Sequence, residues 1–185
     1  MTRILGIAGS LRRASFNRGL LRAAAEGAPD GVEVVLGNID QVPLYNGDLE
    51  AAEGLPQSVT ALQDQLRDCD GLLLVTPEYN GSMPGVLKNA IDWMSRGDGL
   101  GHFHDKPVAM IGASPGGFGT ILSQTSWLTV MRKLGMRPWL AGQLLVSRAG
   151  GRFDSEGNLT DEETRAQMVQ FIDGFAHSLQ GSARR

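Results

Sequence analysis

Apolar residues run along the chain in two alternating rhythms. Solid blocks stand at 3–8 (RILGIA), 32–36 (VEVVL), 71–76 (GLLLVT), 107–113 (PVAMIGA) and 139–146 (WLAGQLLV). Blocks of this length, apolar on both faces, predict buried strands. Between them the spacing widens to three and four. Phe16, Leu20, Ala23 and Ala24 predict a helix over 16–26, and Leu55, Val59, Leu62 and Leu66 a second, with Pro56 in its first turn. Further helices are predicted over 84–96 and 118–134. Thr160 and Glu163 have the spacing of a capping box, ahead of a last helix with Met168, Phe171, Ile172, Phe175 and Leu179 as its inward stripe.

Strand and helix thus alternate five times. The fold class predicted is α/β: a three-layer sandwich whose five-stranded parallel sheet carries helices on both faces. Right-handed crossovers leave the flavodoxin-like strand order 2-1-3-4-5 as the leading arrangement. Sheets of this kind bind ligands outside the carboxyl ends of their strands, where the order switches between strands 1 and 3. No repeat or linker divides the chain, so residues 1–185 read as a single domain with a polar loop at 147–159 and a frayed tail at 180–185.

Composition sharpens where to look. The 185 residues include 25 glycines, about twice the usual ~7% and without a collagen period. Eight of these, Gly6, Gly9, Gly81, Gly85, Gly112, Gly116, Gly117 and Gly119, fall in or beside the loops that follow strands 1, 3 and 4. The lone Cys69 excludes a disulfide framework and fits a cytoplasmic protein. No apolar run approaches the ~18 residues needed to cross a bilayer, and the start lacks a secretory pattern. The net charge of −3 hides an asymmetry: Arg3, Arg12, Arg13, Arg18 and Arg22 precede residue 26 without a single acid. That excess is small for a nucleic-acid binder and suits a small anion, phosphate foremost.

Loop one, Gly9–Asn17 (GSLRRASFN), runs straight into a helix. Helix-start amides, the hydroxyls of Ser10 and Ser15, Asn17 and the Arg12 guanidinium suit a terminal phosphate. The loop is neither a Walker A sequence nor a dinucleotide fingerprint. Ser15 or Asn17 could alternatively just cap the helix. Loop two, Thr76–Gly85 (TPEYNGSMPG), offers a stiff backbone and the flat face of Tyr79, fit either for a polar ring or for an ordinary turn. Loop three, Gly112–Thr120 (GASPGGFGT), allows close backbone approach. It also matches the nucleophile elbow G-x-S-x-G, with Ser114 followed by Asp161 or Asp173 and then His177. A hydrolase would need the amide after Ser114, and Pro115 has none. His102 and His104 do not complete a metal site.

These motifs resemble the NADPH-dependent FMN reductases, a group that includes the bacterial chromate and quinone reductases. The likeness is carried by Gly9–Asn17, by Pro77–Gly85 with Leu87–Trp93 (LKNAIDW), and by Val42–Asp48 (VPLYNGD), and it spans about residues 3–178. The resemblance implies FMN as cofactor and NADPH or NADH as reductant. It implies that Ser10, Arg12, Ser15 and Asn17, with Phe16 beside them, hold the FMN phosphate. Pro77, Glu78, Tyr79 and Asn80 would line the isoalloxazine, and Ser114, Gly116 and Gly117 would approach its pyrimidine edge. The implied activity is hydride transfer from NAD(P)H to FMN and electron delivery to a quinone, free flavin, azo compound or metal oxyanion, in a homodimer or homotetramer. The chemistry is borne by the cofactor, so no catalytic side chain is expected. The alternative is a flavin-binding electron carrier or sensor without NAD(P)H turnover.

Overall fold

The computed structural model describes residues 1–182. Its strands are β1 (Thr2–Ala8), β2 (Val32–Gly37), β3 (Gly71–Val75), β4 (Pro107–Ala113), β5 (Arg137–Pro138) and β6 (Leu144–Val146). The helices are α1 (Phe16–Glu26), α2 (Gly47–Glu53), α3 (Gln57–Arg67), α4 (Gly85–Met94), α5 (Leu100–Phe103), α6 (Ile121–Leu134) and α7 (Glu162–Ser182). Parallel pairing gives the order β2-β1-β3-β4-β5, with β6 also on β4. The flavodoxin-like order expected from the alternating blocks is therefore observed.

β3 lies at the centre, and all five of its residues are buried. Its alternate side chains enter two separate cores. Leu73 and Val75 join Ile4, Leu20 and Ile111 beneath α1 and α7. Leu72 and Leu74 join Leu5, Leu62 and Leu87 beneath α3, α4 and α6. Each fully buried leucine contributes roughly 1.5–3 kcal/mol of transfer free energy, which ties the carboxyl ends of β1, β3 and β4 into one rigid edge.

Four sequence expectations need correction. The block at 139–146 is not one strand. β5 pairs with the start of β4 and β6 with its end, and Trp139–Gln143 loops out between them. Trp139 turns onto α7 instead, 5.0 Å from the Phe171 ring and 5.5 Å from Phe175. The helix predicted from 118 begins at Ile121, because Gly119 takes a left-handed φ of 62°. At the last helix, Asp161 rather than Thr160 is the cap: its carboxylate accepts the Thr164 N–H at 2.8 Å and the Thr164 hydroxyl at 2.6 Å. Pro56 immediately precedes α3 rather than lying in its first turn. α2 was not anticipated; it has no buried residue, so hydrophobic spacing carries no trace of it. α7 continues through Ser182, and the remainder of the expected frayed tail lies outside the described residues.

α1 approaches the loop before α7 at a glycine. A Cβ on Gly19 would sit 1.8 Å from the Gly157 carbonyl oxygen. Gly19→Ala is therefore expected to cost about 1–3 kcal/mol, read as a lower urea midpoint at unchanged slope. The Asp161 carboxyl is held below the ordinary aspartate range by the Thr164 hydrogen bonds, with Arg152 adding its charge. A depressed pKa means stability that is present above the unfolded value and lost as pH falls through the folded one. Asp161→Asn keeps a capping acceptor and should flatten the loss of stability below about pH 4; an unchanged acid limb would remove this contribution.

Candidate flavin site

Loops one, two and three meet at the carboxyl edge of the sheet. They form a cleft of about 60 Å³ lined by Ser10, Arg12, Ser15, Phe16, Asn17, Pro77, Glu78, Tyr79, Ala113, Ser114 and Pro115. All but Ala113 and Pro115 were singled out from the sequence. Asn80, Gly116 and Gly117, also singled out, do not line this cleft; Asn80 and Gly116 follow directly on residues that do, and Gly117 is one residue further.

Loop one is organised as a donor surface. Among the described residues, no acceptor takes the main-chain N–H groups of Ser10, Leu11, Arg12, Ser15, Phe16 or Asn17. Ser15 caps α1, its Oγ accepting the Arg18 N–H at 3.4 Å. Ser10 is 4% exposed, yet its hydroxyl finds no partner among the described residues. Among the described residues no side-chain polar atom is both fully buried and unpaired, so this hydroxyl keeps some exposure to the cleft that Ser10 lines. Among the described residues Arg12 makes no ion pair; its guanidinium lies 5.9 Å from the Phe16 ring centroid and donates only to Ala14 O, at 3.3 Å. Unpaired amides, an orphan hydroxyl and an unneutralised guanidinium at a helix start are what a phosphate dianion requires.

Asn17 does something else. Its carboxamide donates to Ala113 O and accepts from Ala113 N–H, both at 2.9 Å, entirely buried. The side chain fastens α1 to the end of β4, and the residue still lines the cleft.

Loop two is a short hairpin. Tyr79 and Ser82 exchange N–H···O bonds at 3.1 Å each, around Asn80 and Gly81 at φ 51° and 72°. Two left-handed residues in succession are the signature of a turn that matches strand twist. Tyr79 stands half exposed at its edge. The Glu78 carboxylate accepts the N–H groups of Leu122 at 2.9 Å and Ser123 at 3.1 Å, so it caps α6. Behind the loop, Thr76 Oγ1 takes the Trp127 indole N–H at 3.1 Å and shares a 2.8 Å bond with Ser123. Sequence reasoning missed Thr76, Ser123 and Trp127, which pin loop two from within the core.

Loop three turns its amides outward. Ser114 N–H donates to Val146 O, and Gly116 O accepts from Arg148 N–H. The N–H groups of Gly116, Gly117, Phe118 and Gly119 have no acceptor among the described residues. Gly112 is needed for close approach, since a Cβ there would lie 2.2 Å from Thr76 O. The nucleophile reading fails on geometry. Ser114 donates its hydroxyl to Gly119 O at 2.6 Å, whereas His177 is paired with Asp173 on α7 and 70% exposed.

An FMN fits this donor set. The enclosed part of the cleft, about 60 Å³, is about two water volumes and suits the phosphate alone. The ring would rest on the open shelf between Tyr79 and the loop-three amides. A larger cavity of about 640 Å³, between the Trp139–Leu145 loop and α7, has no titratable side chain in its lining.

A nest of free donors at the switch point of a 2-1-3-4-5 sheet, with a shelf of free amides beside it, is the arrangement of a flavodoxin-like flavoprotein. The family follows from comparison. Residues 2–151 match the family model of the NADPH-dependent FMN reductases, and the chain belongs to that family. It is 40% identical over 182 residues to an NAD(P)H-dependent FMN reductase of Pseudomonas aeruginosa, covering 97% of each chain. It is 40% identical over 174 residues to a 2-hydroxy-1,4-benzoquinone reductase of a Burkholderia species, covering 94% of each. Among solved structures it resembles FerB, a flavoenzyme NAD(P)H:(acceptor) oxidoreductase from Paracoccus denitrificans, with a TM-score of 0.85, 33% identity and 98% coverage of each chain.

The clamp yields a direct test. Asn17→Ala would strand the buried N–H and C=O of Ala113. It should lower unfolding free energy by about 2–4 kcal/mol, measured by urea denaturation without cofactor.

Proposed function

We propose that this chain is an FMN-dependent NAD(P)H oxidoreductase that passes electrons to a quinone or a similar small-molecule acceptor. The observation that carries the reading is the unpartnered donor set of loop one, backed by relatives named as FMN and quinone reductases. FMN, when bound, supplies the hydride and electron chemistry. The chain's own task is to bind, orient and tune. Ser10, Arg12 and the loop-one amides hold the phosphate, with Ser15 and Phe16 shaping the turn. Pro77, Tyr79 and Asn80 support the ring from one side, and Glu78 keeps that loop docked on α6. The amides of Gly116 and Gly117, with Ser114 behind them, face the pyrimidine edge. Fixed N–H dipoles there stabilise negative charge on a reduced ring without reorganising. Nothing in this scheme asks a side chain to give or take a proton.

The acceptor is drawn from quinones, free flavin, azo compounds and chromate, and the protein works in the cytoplasm, where its buried Cys69 stays reduced. Tyr79, Phe118, Ile121 and Leu122 leave apolar surface exposed around the cleft. A homodimer or homotetramer built across that surface would cover the ring shelf.

Two measurements decide. Arg12→Ala should weaken FMN binding by about 2–3 kcal/mol, roughly 30- to 150-fold; calorimetry showing unchanged affinity removes the phosphate site. In the absence of air, NADPH should bleach the yellow holoprotein rapidly and quinone should restore the colour. A flavin band that persists with both NADPH and NADH would indicate a carrier or sensor instead.

A further inference from the structure

Five arginines crowd the first 25 residues, and the flavin cleft uses only Arg12. Three of the others line a second cavity. It lies between α1 and the carboxyl end of β2, encloses about 210 Å³, and is bounded by Arg13, Arg18, Arg22, Leu36, Asn38 and Ile39 among others. Loop one is the wall shared with the flavin cleft: Arg12 lines one cavity and Arg13, the next residue, lines the other.

The pocket has the two surfaces a nucleotide needs. One is cationic. Arg18 is paired with Asp40, and Arg22 donates to Gly157 O at 3.1 Å and Asn158 Oδ1 at 2.8 Å. Arg13 is exposed and has neither an ion pair nor a side-chain hydrogen bond among the described residues. Three guanidinium groups therefore face one carboxylate. The other surface is apolar. Ile39 is buried, while Leu36 stays 49% exposed at the rim although it belongs to a strand. Asn38 accepts the Asp40 N–H through Oδ1, and its amide donors have no partner among the described residues. The volume is about seven waters, enough for a ring and not only for a phosphate. The end of the second strand is also where dinucleotide-binding sheets meet the ribose next to adenine, and where an arginine accommodates a 2′-phosphate.

We propose that this pocket binds the adenosine 2′-phosphate of NADPH and so sets a preference for NADPH over NADH. The two nucleotides differ only in that phosphate, and a guanidinium fork meets it with charge-assisted hydrogen bonds. Arg13 is the selective contact, because Arg18 and Arg22 are already engaged. The proposal rests on NAD(P)H being the reductant, and its failure would leave flavin reduction itself intact.

The test uses FMN-loaded protein with 2′,5′-ADP and 5′-ADP as probes in titration calorimetry, followed by steady-state kinetics with each nucleotide. Wild type should bind 2′,5′-ADP more tightly than 5′-ADP. Arg13→Ala should weaken 2′,5′-ADP and raise KM for NADPH by about tenfold each, with KM for NADH, kcat and FMN affinity unchanged. Arg13→Glu should raise KM for NADPH further, by repulsion that added salt relieves. Equal affinity for the two probes would make the pocket a general nucleotide site and overturn the assignment. So would failure of 2′,5′-ADP to bind, or a shift of KM by the same factor for NADPH and NADH.

Discussion

Two buried hydrogen bonds set the geometry on which everything else rests. Asn17, one residue inside α1, pairs both ends of its carboxamide with the main chain of Ala113, across 96 residues of sequence. Ala113 is the last residue of β4 and the first turn into loop three. One side chain thereby fixes loop one relative to loop three. Loop two is registered to the same frame by Glu78 on the α6 amides and by Gly112 packed against Thr76. The rigid edge beneath them comes from hydrophobic burial, which has no direction. The site's precision comes from a few buried polar pairs, each costly to leave unmade.

The outcome is a site built mainly of backbone. Its donors are N–H groups that secondary structure leaves over at a helix start and in a glycine-rich turn. Such donors neither titrate nor swing between rotamers. They suit a cofactor that carries its own redox chemistry and needs to be held and electrically tuned. The same logic explains why a serine in an elbow-like sequence is not a nucleophile here: Ser114 spends its hydroxyl on Gly119 O.

Most of this was legible in the sequence. Apolar blocks on both faces gave the sheet, and the placement of the glycines pointed to one end of it. Ser10 and Arg12 were readable because a hydroxyl and a cation before a helix have few other uses. The clamp that Asn17 makes was hidden, since a helix-to-strand link over so long a separation leaves no local pattern. The roles of Glu78, Thr76 and Trp127 were hidden for the same cause: each bond joins loop two to α6, more than 40 residues along the chain. The resemblance motifs at Val42–Asp48 and Leu87–Trp93 proved to be one feature, for Asn89 and Trp93 both donate to Pro43 O, at 2.7 and 2.9 Å. The broken strand at 139–146 misled because Trp139 is as apolar as a strand residue but packs sideways onto Phe171 and Phe175.

The central claim is that leftover main-chain amides of loops one and three hold the flavin. Residue-resolved amide exchange by NMR, with and without FMN, examines it most directly. The account predicts that FMN slows exchange at Ser10–Arg12, Ser15–Asn17 and Gly116–Gly119, while amides already bonded in the sheet, such as Leu72–Leu74, change little. Protection confined to other loops, or none at loop one with FMN bound, would contradict it.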